Sequence, residues 1–191
     1  MKKTFRPVLI LLLVASAATG CKKDKEAPST PAPEHENEVI TTVRLTFEDQ
    51  GTGPDKVWQF RDIDGDGGAP GVITADTLLP NATYHATLLV LNESVSPVDT
   101  TSNEVLELGT LHQFFFQVSG ANVAFAYADT DANGKPIGLH TVATTAAASS
   151  GTVKVTLRHE PDKNGANVSA GDITHAGGST DVEVTFPAVI H

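Results

Sequence analysis

The sequence predicts an all-β fold, an immunoglobulin-like or Greek-key antiparallel β-sandwich of about 8–9 strands, on three observations. Apolar residues alternate with polar ones at period two along most of the chain. Val and Thr dominate these runs, where a helical protein would show Leu, Glu and Lys. Gly, Asp, Asn and Pro cluster between the runs at roughly the 8 to 12 residue spacing of short strands joined by tight turns.

Residues 1–20 read as a secretory signal peptide and not as part of the fold. Lys2, Lys3 and Arg6 make a basic start, and Val8 to Ala18 form an apolar stretch shorter than the roughly 20 residues that cross a bilayer. The stretch ends in Ala18-Thr19-Gly20-Cys21, small residues directly before the only cysteine of the chain, and so resembles a bacterial lipoprotein signal. That resemblance implies cleavage before Cys21 and lipidation of its new N-terminus. The other reading is an ordinary signal peptide that leaves a thiol near the mature end. A diacylated cysteine supplies the second signal that stable anchoring needs. One cysteine also excludes an intrachain disulfide and a CxxC site.

Residues 21–38 follow as the modified cysteine and a flexible linker. Three prolines, mixed charges and almost no apolar residue cannot bury enough surface to offset the entropy of ordering. A disordered tether of this kind holds a domain away from a membrane.

Residues 39–191 carry the sandwich. Val39, Thr41, Val43, Leu45 and Phe47 share one face of a first half-buried strand, with Ile40, Thr42, Arg44, Thr46 and Glu48 on the other. Further strands are predicted over 57–63, 72–79, 83–93, 111–119, 122–129, 139–147, 152–159 and 180–190. One short helix is predicted where Thr101-Ser102-Asn103-Glu104 matches a capping box ahead of Val105, Leu106 and Leu108. Trp58 reads as a core anchor beside Phe60. Phe114, Phe115 and Phe116 in succession cannot all face one side of a strand, so a strand covered on both faces, or a bulge, is expected there.

Charge narrows the partners. The chain of 191 residues has a net charge of -10, and residues 39–191 hold 7 Lys plus Arg against 18 Asp plus Glu. An acidic domain is a poor match for nucleic acid, which demands a basic face. It also repels anionic lipid headgroups, so membrane contact is expected through the anchor alone.

Two acidic turns are candidate calcium loops. Asp62, Asp64 and Asp66 stand at alternate positions before glycine, and Asp129, Asp131 and Asn133 repeat the spacing. Both resemble the opening half of an EF-hand loop, where alternate side chains converge hard oxygen ligands on Ca²⁺. The twelfth position, which should carry a bidentate Glu, is Ile73 in one and His140 in the other, so neither is an EF-hand. Asp-Gly and Asn-Gly are also the favoured hairpin-turn dipeptides, and a plain turn is the competing reading of each loop. The histidines at 35, 85, 112, 140, 159, 175 and 191 lack metal-ligand spacing; dispersal over the surface is the commoner reading, and a zinc site assembled in space from separate segments is the other. With no G-x-S-x-G elbow and no phosphate loop, the sequence points away from an enzyme.

The motifs together resemble a known family. The lipoprotein start with Cys21-Lys22-Lys23-Asp24, then Glu38-Val39-Ile40-Thr41-Thr42, Phe60-Arg61-Asp62, Leu91-Asn92-Glu93-Ser94, His112-Gln113-Phe114-Phe115-Phe116 and Gly171-Asp172-Ile173-Thr174 through Asp181 to Phe186 look like small Bacteroidota lipoproteins labelled type 1 periplasmic binding fold superfamily protein. The resemblance covers nearly the full length and implies an outer-membrane lipoprotein facing the periplasm or the cell surface. Two functional readings stand. One is a non-enzymatic, lipid-anchored binding or scaffolding module, calcium-stabilised if its loops bind, with a protein, glycan or small-solute partner. The other, which the label implies, is a periplasmic solute-binding protein.

Overall fold

Alternation becomes strand wherever one set of side chains finds a face to bury, and it does so nine times among the described residues. The computed structural model describes residues 39–51, 53–65 and 68–191. The signal stretch, Cys21, the linker and Asp66 lie outside them. In chain order the strands are β1 (Thr42–Asp49), β2 (Lys56–Arg61), β3 (Val72–Ala75) and β4 (Thr83–Leu91), then β5 (His112–Ser119), β6 (Val123–Tyr127), β7 (His140–Thr145), β8 (Ser149–His159) and β9 (Ser179–Ile190). All nine predicted strands are present, most trimmed by a few residues where Gly, Asp and Pro turn the chain.

The strands form an all-β sandwich of two antiparallel sheets, one of six strands in the order β3-β2-β1-β4-β7-β6 and one of three in the order β5-β8-β9. Leu78, just past β3, stitches the sheets along one side: its amide donates to Val189 O at 2.9 Å, and His191 N–H donates to Leu78 O at 2.9 Å. The chain passes from the larger sheet to the smaller through α1 (Thr101–Glu107). The capping box expected from Thr101 and Glu104 does not form. Thr100 is the N-cap residue, no side chain caps the helix, and Thr101 is buried against the domain instead. Packing of the short helix outweighs a cap worth about 1 kcal/mol. Among the described residues no helix is long and apolar enough to cross a membrane.

The two inner faces supply one core. Val43, Leu45 and Phe47 from β1 meet Val153, Val155 and Leu157 from β8 and Val184 and Phe186 from β9, all nearly or wholly buried. Each such side chain contributes about 1.5–3 kcal/mol by leaving water. Trp58 is fully buried, as expected, with its ring 4.8 Å from Phe47 and 5.9 Å from Phe186, so it bridges the sheets. Its indole N–H donates to Asp76 O at 2.8 Å.

The three consecutive phenylalanines divide their labour. Phe114 faces the main core and Phe116 stacks on Phe125 at 4.7 Å. Phe115 points to the opposite face of β5, where Val168, Ala176 and Ile173 cover it in a small second cluster. A loop from the 160s and 170s therefore roofs the outer side of an edge strand, which answers how neighbouring aromatics can all be satisfied.

Candidate functional site

Each predicted acidic loop can be followed over its described residues, which leave out Asp66 of the first. In the second, all four carboxylate oxygens of Asp129 and Asp131 accept hydrogen bonds. Asp129 accepts from the Gly138 and His140 amides at 2.7 and 2.9 Å, and Asp131 Oδ1 from the Asn133 and Lys135 amides at 2.8 and 2.9 Å. Asp131 Oδ2 accepts from Lys163 Nζ at 3.0 Å. The cation this loop holds is thus the buried ammonium of Lys163, which also donates to the carbonyls of Gly109 and Pro136. Burial raises the Asp131 carboxyl, but those amides and Lys163 overcome it and hold it below its ordinary value. Asn133 stands exposed at the turn, and Gly134 adopts a φ of 72°, as the Asn-Gly turn reading requires.

In the first loop Asp62 accepts from the Gly65 amide at 3.0 Å and Asp64 from the Ala69 amide at 2.9 Å. The Ala69 amide chiefly draws the Asp64 carboxyl below its ordinary value. The predicted twelfth ligand position, Ile73, lies within β3 and is exposed. The loop borders two hollows. One, of about 410 Å³, is bounded by Gln59, Arg61, Val72 and Thr74 on the outer face of β2 and β3 together with Ile63 and Pro70. The other, of about 500 Å³, lies between the loop and the start of β9, with Asp62 and Asp64 on one side and Asp181 on the other.

Beside this second hollow the structure gathers three ligand-type side chains that the sequence scatters. His112 opens β5 and His159 closes β8, and the two are direct cross-strand partners. Both lie on the inward face, His112 in step with Phe114, and His159 in step with Val153, Val155 and Leu157. Their rings sit 4.8 Å apart at 78°. The third group comes from a bulge. Leu157 faces Val182 and Arg158 faces Thr180, so Asp181 is the extra residue between them and turns inward where strict alternation would turn it out. Arg158 fixes this corner by donating to the carbonyls of Gly177 and Gly178 and to Thr180 Oγ1.

The result is a dry triangle. Asp181 Oδ2 lies 3.8 Å from His112 Nε2 and 3.8 Å from His159 Nδ1, with side-chain exposures of 0% for His112, 7% for His159 and 0% for Asp181. Neither Asp181 oxygen accepts a hydrogen bond from the described residues. Burial pushes its carboxyl above the ordinary value, against the pull of His159 and Arg158. His112 Nδ1 meets Leu108 O at 3.1 Å. A carbonyl only accepts, so Nδ1 carries the proton and Nε2 is the nitrogen directed at Asp181. The reading of dispersed surface histidines is therefore corrected for His112 and His159, which are buried and adjacent, while His85, His140, His175 and His191 are exposed.

The chain matches no family model, no curated protein and no solved structure.

Proposed function

We propose that this chain is a lipid-anchored, non-enzymatic β-sandwich of the cell envelope that acts as a binding or scaffolding module, held to the outer membrane through Cys21. One observation carries the reading: the only cysteine stands directly behind a short apolar stretch with a basic start, and a proline-rich charged linker separates it from the sandwich. An acidic surface on the domain fits attachment through acyl chains and not through headgroups. The linker then sets how far the module reaches.

The test is fractionation of cells expressing the full chain or its Cys21→Ser variant. Anchoring predicts that the first is recovered with membranes and extracted only by detergent, whereas the variant is soluble. Recovery of both in the soluble fraction would refute it.

The solute-binding reading has its own support. The hollow of about 410 Å³ beside β2 and β3 falls within the roughly 300–1,000 Å³ of small-molecule sites. It joins apolar Val72, Ile63 and Pro70 to polar Gln59, Arg61 and Thr74. A solute screen that raises the melting temperature of the full chain but not of its Arg61→Ala, Gln59→Ala variant would establish this second reading.

A further inference from the structure

The triangle of His112, His159 and Asp181 is costly without a purpose. A buried carboxylate that accepts no hydrogen bond from the described residues gives up its hydration for the longer-range attraction of His159 and Arg158 alone, and a 3.8 Å approach to either imidazole is beyond hydrogen-bond reach. A proton cannot be shared across that distance, but a metal ion can bridge it. One nitrogen from each ring and one carboxylate oxygen lie within 4.8 Å of one another. With the two nitrogen-to-carboxylate sides at 3.8 Å and the third no longer than 4.8 Å, the three atoms surround a point at most about 2.5 Å from each, a few tenths of an ångström outside the roughly 2.0–2.2 Å bonds of zinc to His and Asp.

We propose that His112 Nε2, His159 Nδ1 and Asp181 bind a divalent transition-metal ion of the zinc class between β5, β8 and β9. Two imidazoles and a carboxylate suit such an ion, whereas calcium takes oxygen ligands alone. The surroundings are those of a ligand set. The Leu108 carbonyl fixes the tautomer and orientation of His112, as outer-shell partners of metal-bound histidines do. The bulge aims Asp181, and Arg158 pins the turn that leads into it. Three protein ligands leave a fourth position. Across the neighbouring hollow of about 500 Å³, which residue Asp181 borders, Asp62 and Asp64 add negative charge that concentrates cations near the site. The ion joins the start of β5, the end of β8 and the start of β9, all at one end of the smaller sheet, and so stabilises the module independently of its anchor.

The test uses the untagged full chain purified in detergent, stripped with EDTA and titrated with Zn²⁺ and with Co²⁺ as a spectroscopic substitute. The expected result is one ion per chain, a visible Co²⁺ ligand-field band that Zn²⁺ abolishes, and a melting temperature that rises with Zn²⁺. Asp181→Asn and His159→Gln should each weaken binding by more than about 100-fold, since outer-shell partners alone are worth about 10- to 100-fold. X-ray absorption of the zinc-loaded wild-type chain, which needs no variant to fold, should show two imidazoles and a carboxylate. Binding that survives both substitutions, or a zinc spectrum without two imidazoles, overturns the assignment. So does the absence of any Co²⁺ band. Because Cys21→Ser leaves this site intact, failure here and failure of anchoring are separately visible.

Discussion

Removing Asp131 exposes what the second acidic loop is for. The Lys163 ammonium and the Asp131 carboxylate have side-chain exposures of 6% and 1% and meet at 3.0 Å, so the pair belongs to the buried class, in which loss of one partner costs about 3–5 kcal/mol. Asp131→Ala leaves a buried ammonium facing two carbonyls and also frees the Asn133 and Lys135 amides, so the cost should sit in that range. For a domain of this size that is a fall in melting temperature of roughly 6–20 °C. Lys163→Met removes the charge but leaves Asp131 its two amide donors, and should cost about 1–3 kcal/mol. The double variant should lose less than the two singles together, by about 0.5–3 kcal/mol. Thermal and urea denaturation followed by circular dichroism reads all three. Millimolar calcium should not restore Asp131→Ala, nor raise the midpoint of Lys163→Met. An Asp131→Ala cost under about 1 kcal/mol, the range of exposed pairs, or rescue of Lys163→Met by calcium, would show that the loop is a cation site which the lysine merely fills.

Other predictions bear on the frame around the sites. Gly178 has a φ of 66°, and a Cβ there would meet His159 O at 2.1 Å. Gly178→Ala should therefore cost more than the roughly 1–3 kcal/mol of a strained φ and shift the His159 imidazole resonances; unchanged resonances and stability would contradict the packing described. Glu93 is held down by Arg61 and Thr42 from an ordinary 4.5 to about 2. A lowered folded value means that the ionised group favours the fold above about pH 4.5, and that this contribution disappears as pH falls toward 2. Carbon NMR of the Glu93 carboxyl should place its midpoint near 2 and move it upward in Arg61→Ala, and a midpoint indifferent to Arg61 would be inconsistent with the pairing at 2.8 Å. Phe115→Ala should cost about 3–5 kcal/mol, although Phe115 faces away from the main core, because Val168 and Ala176 seal it. A surface-like effect below about 0.5 kcal/mol would mean that the loop does not cover β5.

The strands were legible because period-two alternation is a local property. Val43, Leu45 and Phe47 announce their face without reference to any partner, and so do Val153, Val155 and Leu157. Applied to the histidines, the same rule puts His112 in step with Phe114 and His159 with Leu157 on an apolar face, so their burial was readable although the surface reading passed over it. Their adjacency was not, because it depends on the pairing of β5 with β8 across 46 intervening residues. Asp181 was concealed differently. Alternation with Val182 and Val184 assigns it to the outer face, and only the one-residue bulge against Leu157 and Arg158 reverses that. Lys163 carried no signal at all, since a lysine in a loop between Asp162 and Asn164 looks solvated. Its burial follows from how the 129–136 loop and Gly109 fold around it. The carboxylate spacing of the acidic loops was visible, but what those carboxylates accept was fixed by backbone amides that composition does not reveal.

Anchoring through Cys21 is tested most directly by the mass of the N-terminal peptide of the protein recovered from the cell envelope. Lipidation predicts a peptide that begins at Cys21 and carries acyl chains on it. A peptide that begins elsewhere, or one that begins at Cys21 with an unmodified thiol, would contradict it.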